Sequence, residues 1–134
     1  MKDLKSFTLE ELKEELKEGG FPAYRTGQLY RWLHVQLTED PEEMTNLPAK
    51  LKQFLSENYT ITRLQVADRQ ISRLDGTQKF LFQLPDGETI ESVFMKYKFG
   101  NSVCVSSQVG CRMGCRFCAS TIGGLTRNLL PSEM

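Results

Sequence analysis

Three cysteines lie close together in the run Cys111-Arg-Met-Gly-Cys115-Arg-Phe-Cys118. Three thiolates on one short loop can converge on three corners of a cubane iron–sulfur cluster, and Gly110 and Gly114 let the backbone wrap closely around it. Electron-transfer clusters take four cysteines, so three leave one iron open to another ligand. An open coordination position is typical of a catalytic metal. The spacing therefore predicts a 4Fe-4S centre that takes part in chemistry.

Two other interpretations of the cysteines stay open on the residues alone. Cys104 could be the fourth ligand of a zinc knuckle, although zinc sites usually combine two CxxC-like pairs. The four cysteines could also be unligated core residues, since a free cysteine packs like a small hydrophobe.

The composition is that of an ordinary folded chain. Its 134 residues carry 17 Lys and Arg against 17 Asp and Glu, so no net positive charge indicates a nucleic-acid partner. No apolar run is long enough to span a membrane, and the polar N-terminus lacks a secretory signal core. These features predict a cytoplasmic protein whose cysteines stay reduced and are ligands or catalysts rather than a disulfide framework.

The first part of the chain has the pattern of a small bundle of three helices. Thr8 and Glu11 match a capping box, and Gly19-Gly20 ends the helix that follows. Apolar periodicity predicts a second helix at about residues 26–36 and a third from about residue 48, capped by Thr45 or Asn46. The residues expected to be buried are Leu9, Leu12, Leu16, Leu29, Trp32, Leu33, Leu51, Phe54 and Leu55.

The pattern changes near residue 60 from helical to alternating. Asp75-Gly76 and Asp86-Gly87 are strong turn signals between alternating runs, so residues 61–98 are interpreted as an antiparallel meander. A further strand is expected from about Ser102 to Ser107, directly before the cysteine loop. The chain after about Ser107 is expected to be poorly packed, because the sequence has the pattern of a domain cut before its end.

Longer runs around these features resemble one enzyme family, the radical S-adenosylmethionine methyltransferases that methylate carbon 2 of an adenosine in 23S rRNA and in certain tRNAs. The spacing of the cysteines is the signature of the radical S-adenosylmethionine superfamily. The runs that carry the closer resemblance are Phe21-Pro22-Ala23-Tyr24-Arg25, Gln28 to Leu33, Met44-Thr45-Asn46-Leu47-Pro48, Asp75-Gly76-Thr77, Asp86 to Val93, Cys104 to Cys111 and Arg127-Asn128-Leu129. The resemblance covers almost the whole chain.

The resemblance implies an α+β fold in three parts. Residues 1–60 would form a helical, helix-hairpin-helix-like RNA-binding domain, and residues 61–100 an antiparallel β meander. Residues 101–134 would hold the first strand and the cluster loop of a truncated radical S-adenosylmethionine α/β barrel. The rest of that barrel is absent from this sequence, so the segment alone is expected to be inactive.

The resemblance also implies cofactors, partners and site residues. Cys111, Cys115 and Cys118 would bind the 4Fe-4S cluster, and Phe117 would lie near S-adenosyl-L-methionine. The substrates would be 23S rRNA and tRNA, and neither a membrane nor a protein partner is implied. Methylation would proceed through a methyl-cysteine and a covalent protein–RNA intermediate. The alternatives are a relative that methylates carbon 8, or an RNA-binding segment without catalysis.

Two further residues match late steps of that chemistry. Glu91 matches the proton acceptor, and its strand face, shared with Val93 and Met95, predicts partial desolvation. Cys104 matches the resolving thiol, which forms a transient disulfide with a cysteine outside this sequence. If Val103 and Val105 face a helix layer, Cys104 faces the lumen of the barrel. On the residues alone, Glu91 would be a solvated carboxylate and Cys104 a small core residue.

Overall fold

The computed structural model describes all 134 residues, which form two compact units, residues 1–62 and 63–134. The first unit contains three helices and two short strands. Their bounds are β1 Lys2–Asp3, α1 Leu9–Glu18, α2 Tyr24–His34, α3 Ala49–Asn58 and β2 Tyr59–Thr60. The three helices predicted from the sequence are confirmed.

Local signals set the ends of α1. The Glu11 backbone N–H donates to Thr8 Oγ1 at 3.3 Å, and the Thr8 backbone N–H donates to Glu11 Oε2 at 2.8 Å. This is the predicted capping box, in which each side chain satisfies a backbone N–H that the first turn leaves unpaired. At the other end the Phe21 N–H donates to the Leu16 carbonyl across Gly20, whose φ is +78°.

A cluster of leucines forms the core of the first unit. Its buried members are Leu4, Leu12, Leu16, Leu29, Leu33, Met44, Leu47, Leu51 and Leu55. Three expected core residues differ, because Leu9 is exposed and Trp32 and Phe54 are half-buried. Asn46 does not cap α3, whose N-cap is Pro48. The Asn46 side chain accepts instead from Trp32 Nε1, at 2.6 Å.

The second unit begins with a four-stranded antiparallel meander in the order β3-β4-β5-β6. The strands are β3 Gln65–Ile71, β4 Gln78–Gln83, β5 Thr89–Tyr97 and β6 Gly100–Cys104. Gly76 and Gly87 have φ values of +72° and +90°, as the two predicted turns require. The strand expected at about residues 102–107 is therefore observed earlier in the chain, and it pairs with β5.

The register divides the side chains of the meander between two faces. Leu81 lies opposite Glu91, and Val93 lies opposite Cys104, so these four share one face, here called the Glu91 face. The other face carries aromatic and aliphatic side chains: Phe80, Phe82, Ile90, Phe94 and Val103. Glu91 and Cys104 thus lie on neighbouring strands with the same orientation.

The end of the chain packs on the meander. Strands β7 Gln108–Gly110 and β8 Leu125–Asn128 form an antiparallel pair. Val109 and Leu129 are buried in a second core with Leu84 and Ile90 of the meander. The expectation of poor packing after about Ser107 is therefore wrong for this pair, because its apolar side chains cover the β4–β5 turn. No helix of the chain is long and apolar enough to cross a membrane.

Candidate functional site

The cysteine loop is the connection between β7 and β8, and its base is closed by the backbone. The Cys111 N–H donates to the Gly124 carbonyl at 2.9 Å, and the Leu129 N–H donates to the Ser107 carbonyl at 3.0 Å. Gly110 has a φ of +74°, and a Cβ atom there would overlap the Gly124 carbonyl oxygen. Only glycine allows the two ends of the loop to approach so closely.

The three predicted cluster cysteines all lie on this loop with accessible thiols. Cys115 is exposed, and Cys111 and Cys118 are half-buried. The Cys118 N–H donates to the Cys115 carbonyl at 3.2 Å, and Thr121 Oγ1 donates to the Cys118 carbonyl at 3.0 Å. Gly114, with a φ of +70°, turns the chain between the first two cysteines.

The donor set of the loop fits an iron–sulfur cluster. Thiolates are the ligands that such clusters take, and all three are free and reachable. In the present geometry no three Cys, His, Asp or Glu side chains of the chain are close enough together to hold a metal ion. Convergence of the three sulfur atoms therefore requires the loop to close around the metal, as is common where metal binding completes a site.

A cavity of about 500 Å³ lies beside the loop. The meander contributes Leu81 and Glu91 to its lining, and the cysteine loop contributes Cys111 and Ser120. The structure thus brings the predicted proton acceptor and one predicted cluster ligand to the same cavity. Val105 also lines this cavity, so the expectation that it shares a face with Val103 is wrong, because β6 ends at Cys104 and the strand alternation does not extend to Val105.

Two contacts hold Glu91. Lys79 Nζ lies 3.1 Å from Glu91 Oε1, and Ser106 Oγ donates to the Glu91 backbone carbonyl at 2.7 Å. The Glu91 side chain is 55% exposed. The carboxylate is therefore only partly shielded from water at the cavity, and it is paired with an ammonium group.

The other two predicted site residues are exposed. Cys104 ends β6 on the Glu91 face, outside the cysteine loop, and its thiol is free and solvent-accessible. Phe117 is 94% exposed on the loop, directly before Cys118. An apolar ring so open to water is available to pack on a bound group.

Sequence reasoning missed an ion network that attaches β8 to the meander. Arg127 Nε donates to Asp86 Oδ2 at 2.8 Å, and its two terminal nitrogens donate to the Glu133 carboxylate at 2.7 and 2.8 Å. Glu133 is 5% exposed and also accepts from the Leu130 N–H. The sequence shows only an arginine in a short strand, Arg127, and an aspartate in a turn, Asp86. No local pattern predicts that these two residues pair.

Replacing Gly110 by alanine should open the base of the loop. The new methyl group meets a backbone oxygen, and the residue must keep a left-handed conformation, so we expect the second unit to lose at least about 2 kcal/mol of stability. Urea unfolding of the chain measures the loss, and hydrogen exchange at the Cys111 amide locates it. Gly123→Ala is the matched control, because a Cβ there meets no atom within 4 Å. Equal stability of the two variants would contradict this prediction.

The contribution of the Arg127–Glu133 ion pair to stability should be lost in acid. The hydrogen bonds from Arg127 hold the pKa of Glu133 below its ordinary value of 4.5 despite its burial. The folded state therefore binds this proton more weakly than the unfolded state, and the pair stabilises the fold above about pH 4.5 and ceases to do so as the pH falls through the lowered pKa. Glu133→Gln should cost about 1–3 kcal/mol at pH 7. Urea unfolding at several pH values should show that cost shrinking in acid, and a cost independent of pH would contradict the ion pair.

Comparisons with known proteins agree on one family. Residues 2–61 match the family model of the ribosomal RNA large subunit methyltransferase N-terminal domain. The chain is 58% identical to a probable dual-specificity RNA methyltransferase RlmN of Lachnoclostridium phytofermentans, over 98% of this chain and 37% of that protein. It is 45% identical to the protein of the same name from Clostridium novyi, over 100% of this chain and 39% of that protein.

A solved structure agrees with these relatives. The crystal structure of a radical SAM methyltransferase from Sphaerobacter thermophilus matches with a TM-score of 0.85 and 43% identity, over 96% of this chain and 38% of that chain. The sequence thus spans little more than a third of the length of the relatives it matches. Over nearly its whole length the chain is therefore similar to one part of the RlmN RNA methyltransferases and of this radical SAM methyltransferase.

Proposed function

We propose that the parent protein, meaning a protein of the relatives' full length that contains this sequence, methylates carbon 2 of adenosine in 23S rRNA and tRNA in the cytoplasm. The observation that carries this proposal is the shared cavity, with Glu91 on one wall and the first cysteine of the loop on another. The printed names of the relatives, dual-specificity RNA methyltransferases, support the substrate class. They give no support to carbon 8 methylation or to a binding segment without catalysis.

The position to be methylated requires radical chemistry. Carbon 2 of adenine is neither acidic nor nucleophilic, so a polar methyl transfer to it fails. A bound 4Fe-4S cluster with S-adenosyl-L-methionine supplies the radical that the reaction needs. In this chain Cys111, Cys115 and Cys118 would hold the cluster through three thiolates. Phe117, exposed beside the third cysteine, would be available to the bound cofactor.

Glu91 and Cys104 act after the new carbon–carbon bond has joined RNA to a cysteine outside this sequence. Glu91 accepts the proton from carbon 2, for which its exposed carboxylate at the cavity is placed. The sulfur of Cys104 then attacks the sulfur of that cysteine, so that a disulfide forms and the carbon–sulfur bond breaks. The released carbon takes up a proton, equal to the one that the Cys104 thiol loses, and leaves as the methyl group of the RNA. The accessibility of this thiol and its position on the Glu91 face support the role.

The three segments have separate roles in this proposal. Residues 1–60 are the helix-hairpin-helix-like RNA-binding domain, and residues 61–100 form the meander that carries Glu91. Residues 101–134 begin the radical S-adenosylmethionine barrel and present the cluster loop. The family-model match to residues 2–61 supports the first of these segments.

Mass spectrometry of RNA tests the function. Nucleosides from 23S rRNA and tRNA of the host organism are compared with those of a strain lacking the full-length gene. We expect 2-methyladenosine to disappear from both RNAs and to return when the gene is restored. Unchanged 2-methyladenosine in the deletion strain, or loss of 8-methyladenosine instead, would refute the proposal.

A further inference from the structure

An ion pair on the Glu91 face joins β4 to β5 beside the cavity. Lys79 lies opposite Val93, and Glu91 lies opposite Leu81, so the two charged residues are diagonal neighbours. The long lysine side chain spans the gap between the strands, and its Nζ lies 3.1 Å from Glu91 Oε1. We propose that Lys79 is a positioning residue that holds the Glu91 carboxylate at the cavity in the orientation that accepts the proton. This inference rests on the proposed role of Glu91.

The backbone of Glu91 is already fixed, so the side chain is what needs support. Strand β5 is paired on both edges, and Ser106 Oγ binds the Glu91 carbonyl. The carboxylate is attached through flexible single bonds and is more than half exposed, so packing does not select one rotamer. The ammonium group of Lys79 gives it a defined partner and direction.

The charges around Glu91 also favour this role. Asp68 of β3 lies opposite Leu81, in the same cross-strand row as Glu91 and two strands away from it. Cys104 of β6 lies opposite Val93, and Cys111 lies across the cavity. Lys79 is diagonal to both carboxylates of the row, so its positive charge offsets their mutual repulsion.

The variants should keep the stability of the fold, because an ion pair between two partly exposed side chains contributes little to folding. The two rival interpretations are an ordinary surface pair and a phosphate contact for RNA. A surface pair predicts no kinetic effect. A phosphate contact predicts weaker RNA binding, which raises KM without changing kcat.

The experiment compares single variants in the full-length protein. Lys79→Met should lower kcat between about tenfold and a hundredfold with little change in KM, because the base is misplaced. The covalent protein–RNA adduct should accumulate on denaturing gels, since the proton is removed after that bond has formed. Lys79→Arg keeps the charge and should restore most of kcat. The matched control is Lys96→Met, because Lys96 lies on the opposite face, over the Phe94 ring.

Combining variants separates this inference from the proposed function. In a Glu91→Gln background, Lys79→Met should have no further effect, because it acts through Glu91. A fully active Glu91→Gln variant would refute the proposed role of Glu91 itself. If Glu91→Gln is defective, a Lys79→Met variant with wild-type kcat, or with a change in KM alone, would overturn the positioning role of Lys79. An equal loss of kcat in Lys79→Arg, or additive losses of kcat in the double variant, would overturn it as well.

Discussion

Replacement of Cys115 by alanine is expected to remove the iron–sulfur cluster. If three thiolates hold the cluster as proposed, the two that are left cannot hold it, so the reconstituted full-length protein should lose its broad thiolate-to-iron absorbance. Methylation should fall by more than about a hundredfold. This loss exceeds the one expected on removing a residue that only contacts a metal ligand, because Cys115 is proposed as a ligand itself. Iron analysis and the visible spectrum after reconstitution with iron and sulfide measure the effect.

Cys104→Ala is the control for this experiment. Cys104 lies on β6 outside the cysteine loop, so its replacement should leave the absorbance and the iron content intact. Methylation should still stop, with the covalent adduct accumulating, because the thiol proposed to resolve it is gone. Equal loss of iron in Cys104→Ala and Cys115→Ala would contradict the three-cysteine site and would favour a four-cysteine or zinc-like site.

Glu91→Gln is expected to have the next largest effect. The amide has the shape of the carboxylate but cannot accept the proton, so kcat should fall by roughly 10²–10⁴-fold. The cluster absorbance should not change, because Glu91 is not on the cysteine loop. Single-turnover assays with an RNA substrate, resolved on denaturing gels, should show the covalent adduct building up.

Glu88→Gln is the matched control for Glu91→Gln. Glu88 is an exposed carboxylate at the β4–β5 turn, directly before the strand that carries Glu91. Its replacement should leave kcat within about twofold of the wild type, as for surface changes away from a site. A Glu91→Gln variant that turns over without accumulating adduct would place the proton acceptor elsewhere.

The parts of the fold that were predictable are those with a local signal. Thr8 and Glu11 lie within one helical turn, and Gly76 and Gly87 each mark a single turn, so neighbours in sequence determine these features. The parallel pairing of β1 with β2 was not predictable. It joins two strands of two residues each from opposite ends of the first unit, and so short a strand has no periodicity.

The candidate site divides in the same way. The spacing of the cysteines lies within one run of residues, so the sequence alone predicts their loop. The role of Glu91 was predicted only from the resemblance and stays a proposal. The pairing of Lys79 with Glu91 depends on the register between β4 and β5, which no single run of residues contains. The packing of β8 was not predictable either. Arg127 and Asp86 are far apart in the sequence, and the whole cysteine loop lies between the paired strands β7 and β8.

The central claim is that three cysteines of one loop hold a cluster whose fourth iron is open to S-adenosyl-L-methionine. Electron paramagnetic resonance of the chemically reduced, reconstituted full-length protein tests it directly. Addition of S-adenosyl-L-methionine should change the cluster spectrum in the wild type and equally in Cys104→Ala, because the cofactor binds an iron that no cysteine occupies. A cluster spectrum that S-adenosyl-L-methionine leaves unchanged would contradict the account.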